Sequence, residues 1–248
     1  MRIFRHLCVG LVVASMAAWS VPAWGQHHHG GHVDVRPYLS GGQIRIGAAE
    51  LHGAVVEPIS DDHRVFGSEL GEEQPLFSDH PGFLAEPGAF PGGAGQWLAF
   101  DATAALGFWN GAGFGAVPAG ESLTILLGSQ EVNVSTGPVA GFPFALIDLA
   151  GGIHQHMEFY LLGSDGNPDP DDGIAPTIGI YLLELSLRTT MEGVAASDPF
   201  WIVFNNGDTE ENHHEAMEWV EEHLVPEPAV GLMTAGLGMS LLLRRRRS

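Results

Sequence analysis

Runs of strand length that alternate apolar with polar residues, or are rich in β-forming ones, recur along most of the chain, separated by Gly- and Pro-rich breaks. A period of two puts every second side chain on one face, so each such run predicts a β-strand with a buried side. The clearest runs are 33–38, 43–48, 97–102, 122–127, 131–136 and 144–148, then two longer ones at 153–162 and 178–188, and a last at 200–204. Apolar residues are almost continuous in 178–188, which predicts a central strand covered on both faces. Many strands without interleaved helices predict a mainly β fold, an antiparallel β-sandwich or jelly-roll, in preference to a sheet wound from β-α-β units. Two stretches break the pattern. Residues 57–95 are rich in Pro, Gly, Ser and acids and predict a long irregular loop. In 208–224, Ala216, Met217, Val220 and Leu224 recur at helical spacing within an acidic stretch that Asp208 or Thr209 can cap. That spacing predicts one late amphipathic helix packed on the strands.

The 248 residues allow one large domain or two small ones, with a sizeable core. Charge narrows the partners: 30 Asp and Glu stand against 10 basic residues, all of them Arg, for a net charge of −20. Such a surface repels nucleic-acid phosphates, so no nucleic-acid partner is expected. The lone Cys8 has no partner for a disulfide within the chain. The basic residues are also unevenly spread, with Arg2 and Arg5 at one end and Arg244, Arg245, Arg246 and Arg247 at the other. The body between them is therefore more acidic than the total indicates.

Each basic end adjoins an apolar run. At the start, Arg2, Arg5 and His6 precede a run from 7 to 18, and Ala23-Trp24-Gly25 supplies small residues for cleavage, so residues 1–25 read as a secretory signal peptide for signal peptidase. At the other end, Val225-Pro226-Glu227-Pro228 leads into fifteen uncharged residues, 229–243, and then the four Arg. As a helix those fifteen span about 22 Å, short of the ~30 Å hydrocarbon core, which makes the segment a marginal transmembrane helix. The Arg cluster places its end in the cytoplasm and everything before 225 outside. Motif, apolar run and cluster, in that order, resemble the PEP-CTERM sorting tail, with Pro226, Glu227 and Pro228 as the motif. The resemblance covers residues 225–248 and implies processing by an exosortase and display at the cell surface or in the extracellular matrix.

Candidate chemistry rests on histidine. Of the 13 His, 12 lie after the signal peptide, and imidazole is the commonest protein ligand for zinc and copper. His154-Gln155-His156 lies in a predicted strand, where i and i+2 share a face, and His32-Val33-Asp34 has the same spacing at the start of the first. If the two strands are neighbours, His32, Asp34, His154 and His156 form a zinc shell; the alternative is a solvated polar face. The tract His27, His28 and His29 in the segment 26–32 offers weaker additional ligands. His213, His214 and His223 on the predicted helix are expected to face solvent, because Glu218 stands where H-E-x-x-H requires its second His. Asp165, Asn167, Asp169 and Asp171 place oxygens at alternate positions, as in a calcium loop, although Pro170 and Pro176 occupy the positions of the EF-hand Gly and Glu. A turn explains them equally well. No G-x-S-x-G, P-loop or dinucleotide-binding motif is present.

Gly31-His32-Val33-Asp34-Val35 with the Gly41-Gly42 turn, followed by the His154/His156 strand, resembles the surface-anchored domains called choice-of-anchor and His-rich PEP-CTERM proteins regulated by zinc. This resemblance implies extracytoplasmic metal binding at His32, Asp34, His154 and His156, with metal-uptake components as partners. The stretch 197–207 and the acidic helix after it resemble PEP-CTERM proteins of unassigned role. The combined expectation has residues 33–207 as a β-sandwich and 208–224 as a helix before the anchor. The protein is expected to be exported, surface-anchored and non-enzymatic, binding zinc or another divalent ion. The alternatives are a structural or adhesive component of the surface or matrix, in contact with surface polysaccharide and without a specific ion, and, ranked last, a hydrolase.

Overall fold

In the computed structural model, which describes residues 33–167 and 173–226, the chain pairs its strands into three sheets. The expected signal peptide at 1–25, His27, His28, His29, His32, Asp169, Asp171, Glu227, Pro228, the apolar run 229–243 and Arg244, Arg245, Arg246 and Arg247 lie outside the described residues. The first sheet has the order β13 (Ile153–Gln155), β6 (Phe83–Ala85), β1 (Asp34–Ser40), β2 (Gln43–His52) and β3 (Val55–Ser60). The second runs β11 (Gln130–Val134), β10 (Ser122–Leu127), β14 (Glu158–Leu162) and β5 (Phe77–Ser78). The third runs β12 (Val139–Leu146), β7 (Trp97–Ala102), β15 (Gly179–Thr189), β16 (Phe200–Asn206) and β4 (Val65–Glu69). Two short strands extend it: β8 (Gly107–Trp109) pairs with β15, and β9 (Phe114–Ala116) pairs with β8. Pairing is antiparallel except for β1 with β6 and β16 with β4.

Local sequence accounts for much of this. Gly41 and Gly42, with φ of +61° and +79°, supply the left-handed pair that a two-residue hairpin between β1 and β2 demands. β15 lies between β7 and β16, as its apolar run predicts, and Ile180, Tyr181, Leu183, Leu185 and Leu187 on it are fully buried. The fold is therefore mainly β, as expected, with several antiparallel sheets. The late helix, α1 (Glu210–His223), is capped by Thr209, whose Oγ1 accepts from Asn212 N at 3.2 Å. Glu210 and Glu211 favour the positive end of its dipole. Its apolar stripe, Ala216 and Val220, packs against Val65, Trp109, Trp201 and Val203; each Val-sized side chain so buried contributes about 1.5–3 kcal/mol. Among the described residues no helix is long and apolar enough to cross a membrane.

Three expectations need correction. Residues 57–95 are not an irregular loop: they contain most of β3 and all of β4, β5 and β6, and contribute to all three sheets. These strands have two to six residues, too few for alternation to stand out among Pro and Gly. The run 153–162 is two strands, because the chain leaves the first sheet after Gln155 and enters the second at Glu158. Finally, β6 separates β1 from β13, so the strands carrying Asp34 and His154 are not neighbours.

Candidate metal centre

Two crossings between the first and second sheets run side by side. β5 leads through Asp79-His80-Pro81-Gly82 into β6, and β13 leads through His156-Met157 into β14. Because β5 pairs with β14 and β6 with β13, the crossings form one antiparallel ladder that opens where the sheets part. Strands that change sheets bend at such corners, and side chains there leave the pleat. In that opening Asp79, His80 and His156 each place one ligand atom within 4.8 Å of the others'.

The segment carrying two of the three is firmly held. Ser68 Oγ on β4 donates to the His80 carbonyl at 2.7 Å, and His80 N donates to Ser78 Oγ at 3.2 Å, with both serines buried. His156 Nδ1 lies 3.0 Å from the Asp79 carbonyl oxygen. A carbonyl only accepts, so in the neutral ring Nδ1 carries the proton and Nε2 keeps the lone pair. This is the tautomer lock that metal-binding histidines use. Asp79 Oδ1 lies 3.5 Å from His80 Nε2, and Oδ2 lies 3.8 Å from His156 Nδ1. Oδ1 is buried and accepts no hydrogen bond among the described residues, a state that costs about 1–3 kcal/mol unless something positive satisfies it.

Among the described residues no arginine does so. Arg36 is bound by Glu86 and Asp61, Arg45 by Asp198 and Arg188 by Asp101, while Arg64 lies beside Asp62. The Arg36 guanidinium holds the Glu86 carboxyl below its ordinary range. Two imidazole nitrogens and one carboxylate oxygen form a borderline donor set that suits zinc, copper, nickel or ferrous iron better than the all-oxygen shells of calcium and magnesium. All three side chains are partly open to solvent, so an ion has an entry path and would retain open coordination positions.

No protein-family model, curated protein or solved structure matches the chain.

Of the residues singled out in the sequence, His156 belongs to this cluster. His154 stands exposed at its edge, its ring centroid 5.4 Å from that of His156. Asp34 is buried and accepts from Gly82 N at 2.7 Å through Oδ1, so it touches the crossing without joining the three. Asp79 and His80 do not stand out in the sequence because they lie within 57–95, where its composition predicts a loop. The available signal was an Asp-His pair between two apolar couples, Leu76-Phe77 and Phe83-Leu84. In the supposed calcium loop, Asp165 accepts from Ile174 N at 2.8 Å and Asn167 N at 3.2 Å. Those backbone amides hold its carboxyl below its ordinary value, and both its oxygens serve the turn.

The remaining histidines divide between surface and core. His214 pairs with Glu218 one turn on, and His223 stacks on Trp219. Against expectation, His213 is buried, with Val203 O 2.9 Å from Nε2 and Glu69 Oε1 2.9 Å from Nδ1. His63 packs edge-on against Phe66 at 4.8 Å, and burial pushes its imidazole below its ordinary value.

Proposed function

We propose that this chain is an exported, surface-anchored, non-enzymatic β-sandwich protein that binds one divalent transition ion, zinc foremost, through Asp79, His80 and His156. The observation that carries the reading is the convergence of these three ligand atoms within 4.8 Å at a half-open corner. The buried, unsatisfied Asp79 Oδ1 and the Nδ1-locked ring of His156 support it. His154, at the edge, is a further donor. His32 and the tract His27, His28 and His29 remain proposed donors on the strength of their position in sequence, immediately before the strand that carries Asp34. The address rests on the sorting-tail resemblance, with signal peptidase and exosortase as processing partners.

The test is elemental analysis and zinc titration of the purified protein, alone and as H80A and H156A. One ion per chain, lost in both variants, is the expected result. A protein that takes up no stoichiometric ion leaves the structural or adhesive role in its place.

A further inference from the structure

The metal ligands account for Asp79, His80 and His156 but leave Asp34 unexplained: a carboxylate 5% exposed, on a strand that contributes no ligand. Its Oδ1 accepts the Gly82 amide at 2.7 Å, and on the other side of the same residue the Gly82 carbonyl accepts from Val35 N at 2.9 Å. Gly82 is thus fixed to β1 by both its backbone groups. It is also the floor beneath the His156 ring. A Cβ built on Gly82 would lie 2.6 Å from His156 Cε1 and 2.7 Å from Nε2, closer than any real side chain tolerates. The height of this one residue therefore decides where the imidazole lies, and the Asp34 side chain, with the Val35 amide on the other side, sets that height.

We infer that Asp34 is a positioning residue of the metal centre: by holding the Gly82 amide it fixes the slot that aims His156 at the ion. The inference rests on the metal reading above. It assigns Asp34 a role through the hydrogen bond, not through its charge and not as a ligand. Ligand-orienting partners of this kind commonly change affinity by 10–100-fold when removed.

The charge-free variant D34N keeps an oxygen acceptor for the Gly82 amide, and D34A removes it. Zinc affinity by competition titration is expected to stay within about threefold for D34N and to fall by at least about tenfold for D34A. Cobalt substitution should show an altered ligand-field spectrum in D34A and an unaltered one in D34N. D34A also leaves a buried amide unsatisfied, so S197A serves as the matched lesion. Ser197 Oγ accepts from Leu187 N at 2.8 Å in the third sheet, and its loss should lower stability while leaving zinc binding unchanged. If D34A does not fold, G82A carries the test, since its Cβ must displace the His156 ring and weaken binding by a similar factor. Wild-type affinity in folded D34A or in G82A overturns the inference, as does a D34N as weak as D34A. A wild-type protein that binds no ion removes the metal centre itself, a result distinct from either.

Discussion

His213 and His156 both lie beside a carboxylate, yet their ring nitrogens are committed differently. In His213, Val203 O and Glu69 Oε1 each approach a ring nitrogen to 2.9 Å, and the ring is buried between β16, β4 and α1. In His156 the backbone engages Nδ1 alone, the ring is partly exposed, and the adjacent carboxylate retains a buried oxygen with no hydrogen bond among the described residues. The first arrangement clasps a helix to a sheet and leaves neither nitrogen open to an ion. The second orients one nitrogen and presents the other. The number of nitrogens already spent separates a strut from a ligand more sharply than the presence of a nearby acid.

This contrast can be broken by exchanging the lesions. The largest expected effect is in H156A, where loss of one ligand of three should weaken zinc binding by at least about 100-fold while the metal-free melting temperature stays nearly constant. H213A should do the reverse. It removes the ring from the Val203 carbonyl and from between helix and sheet at a cost of about 2 kcal/mol, or roughly 6 °C of melting temperature, with zinc affinity unchanged. An H213A protein that loses zinc binding, or an H156A protein that unfolds, removes the distinction.

Smaller changes sharpen it. T209A deletes the cap of α1 and should cost about 1 kcal/mol by thermal melting, again without touching zinc. Deleting residues 26–32, and with them His27, His28, His29 and His32, should reduce the loosely held ions counted at zinc excess and leave the tight one in place. Loss of the tight ion would move those residues into the centre. The least effect concerns pH. The folded-state imidazole of His63 lies below its ordinary value, so its contribution to stability is complete above about pH 6.5 and is lost as pH falls toward the folded value. Melting of metal-free protein between pH 7.5 and 5 should therefore be less pH-dependent in H63F than in wild type. Equal slopes would show that the burial of His63 is not felt in the titration.

Strand identity was legible where runs were long enough to count. Residues 97–102 and 122–127 form β7 and β10 with the predicted bounds, and the apolar run of β15 identified a central strand. The helix was legible too, because its stripe repeats over three turns. The centre was only half legible. His156 stood out through its H-x-H spacing, but Asp79 and His80 belong to a segment whose flanking strands are two and three residues long. Such strands are specified by pairing with β14, β13 and β1, not by their own pattern. For the same reason the neighbour of β1 was misjudged: Asp34 looked like a ligand because the strand between it and His154 could not be seen. Asp34 is bonded to Gly82 at the edge of the crossing and is not one of the three donors.

The ladder that opens between the first two sheets joins Asp79 to a residue 77 positions later. A contiguous binding loop can gather an ion while the rest of the chain is still unfolded, but this centre has no local precursor. The three donors meet only once both crossings have formed, so the unfolded chain would compete poorly for an ion and almost all of its binding energy would add to the folded state. An ion held there would be a reversible staple between two sheets, closing a long loop as a disulfide would in a chain that has a single cysteine. If, as proposed, the chain crosses a membrane before it folds, such a staple would be set at the destination, and the metal content of that compartment would decide how firmly.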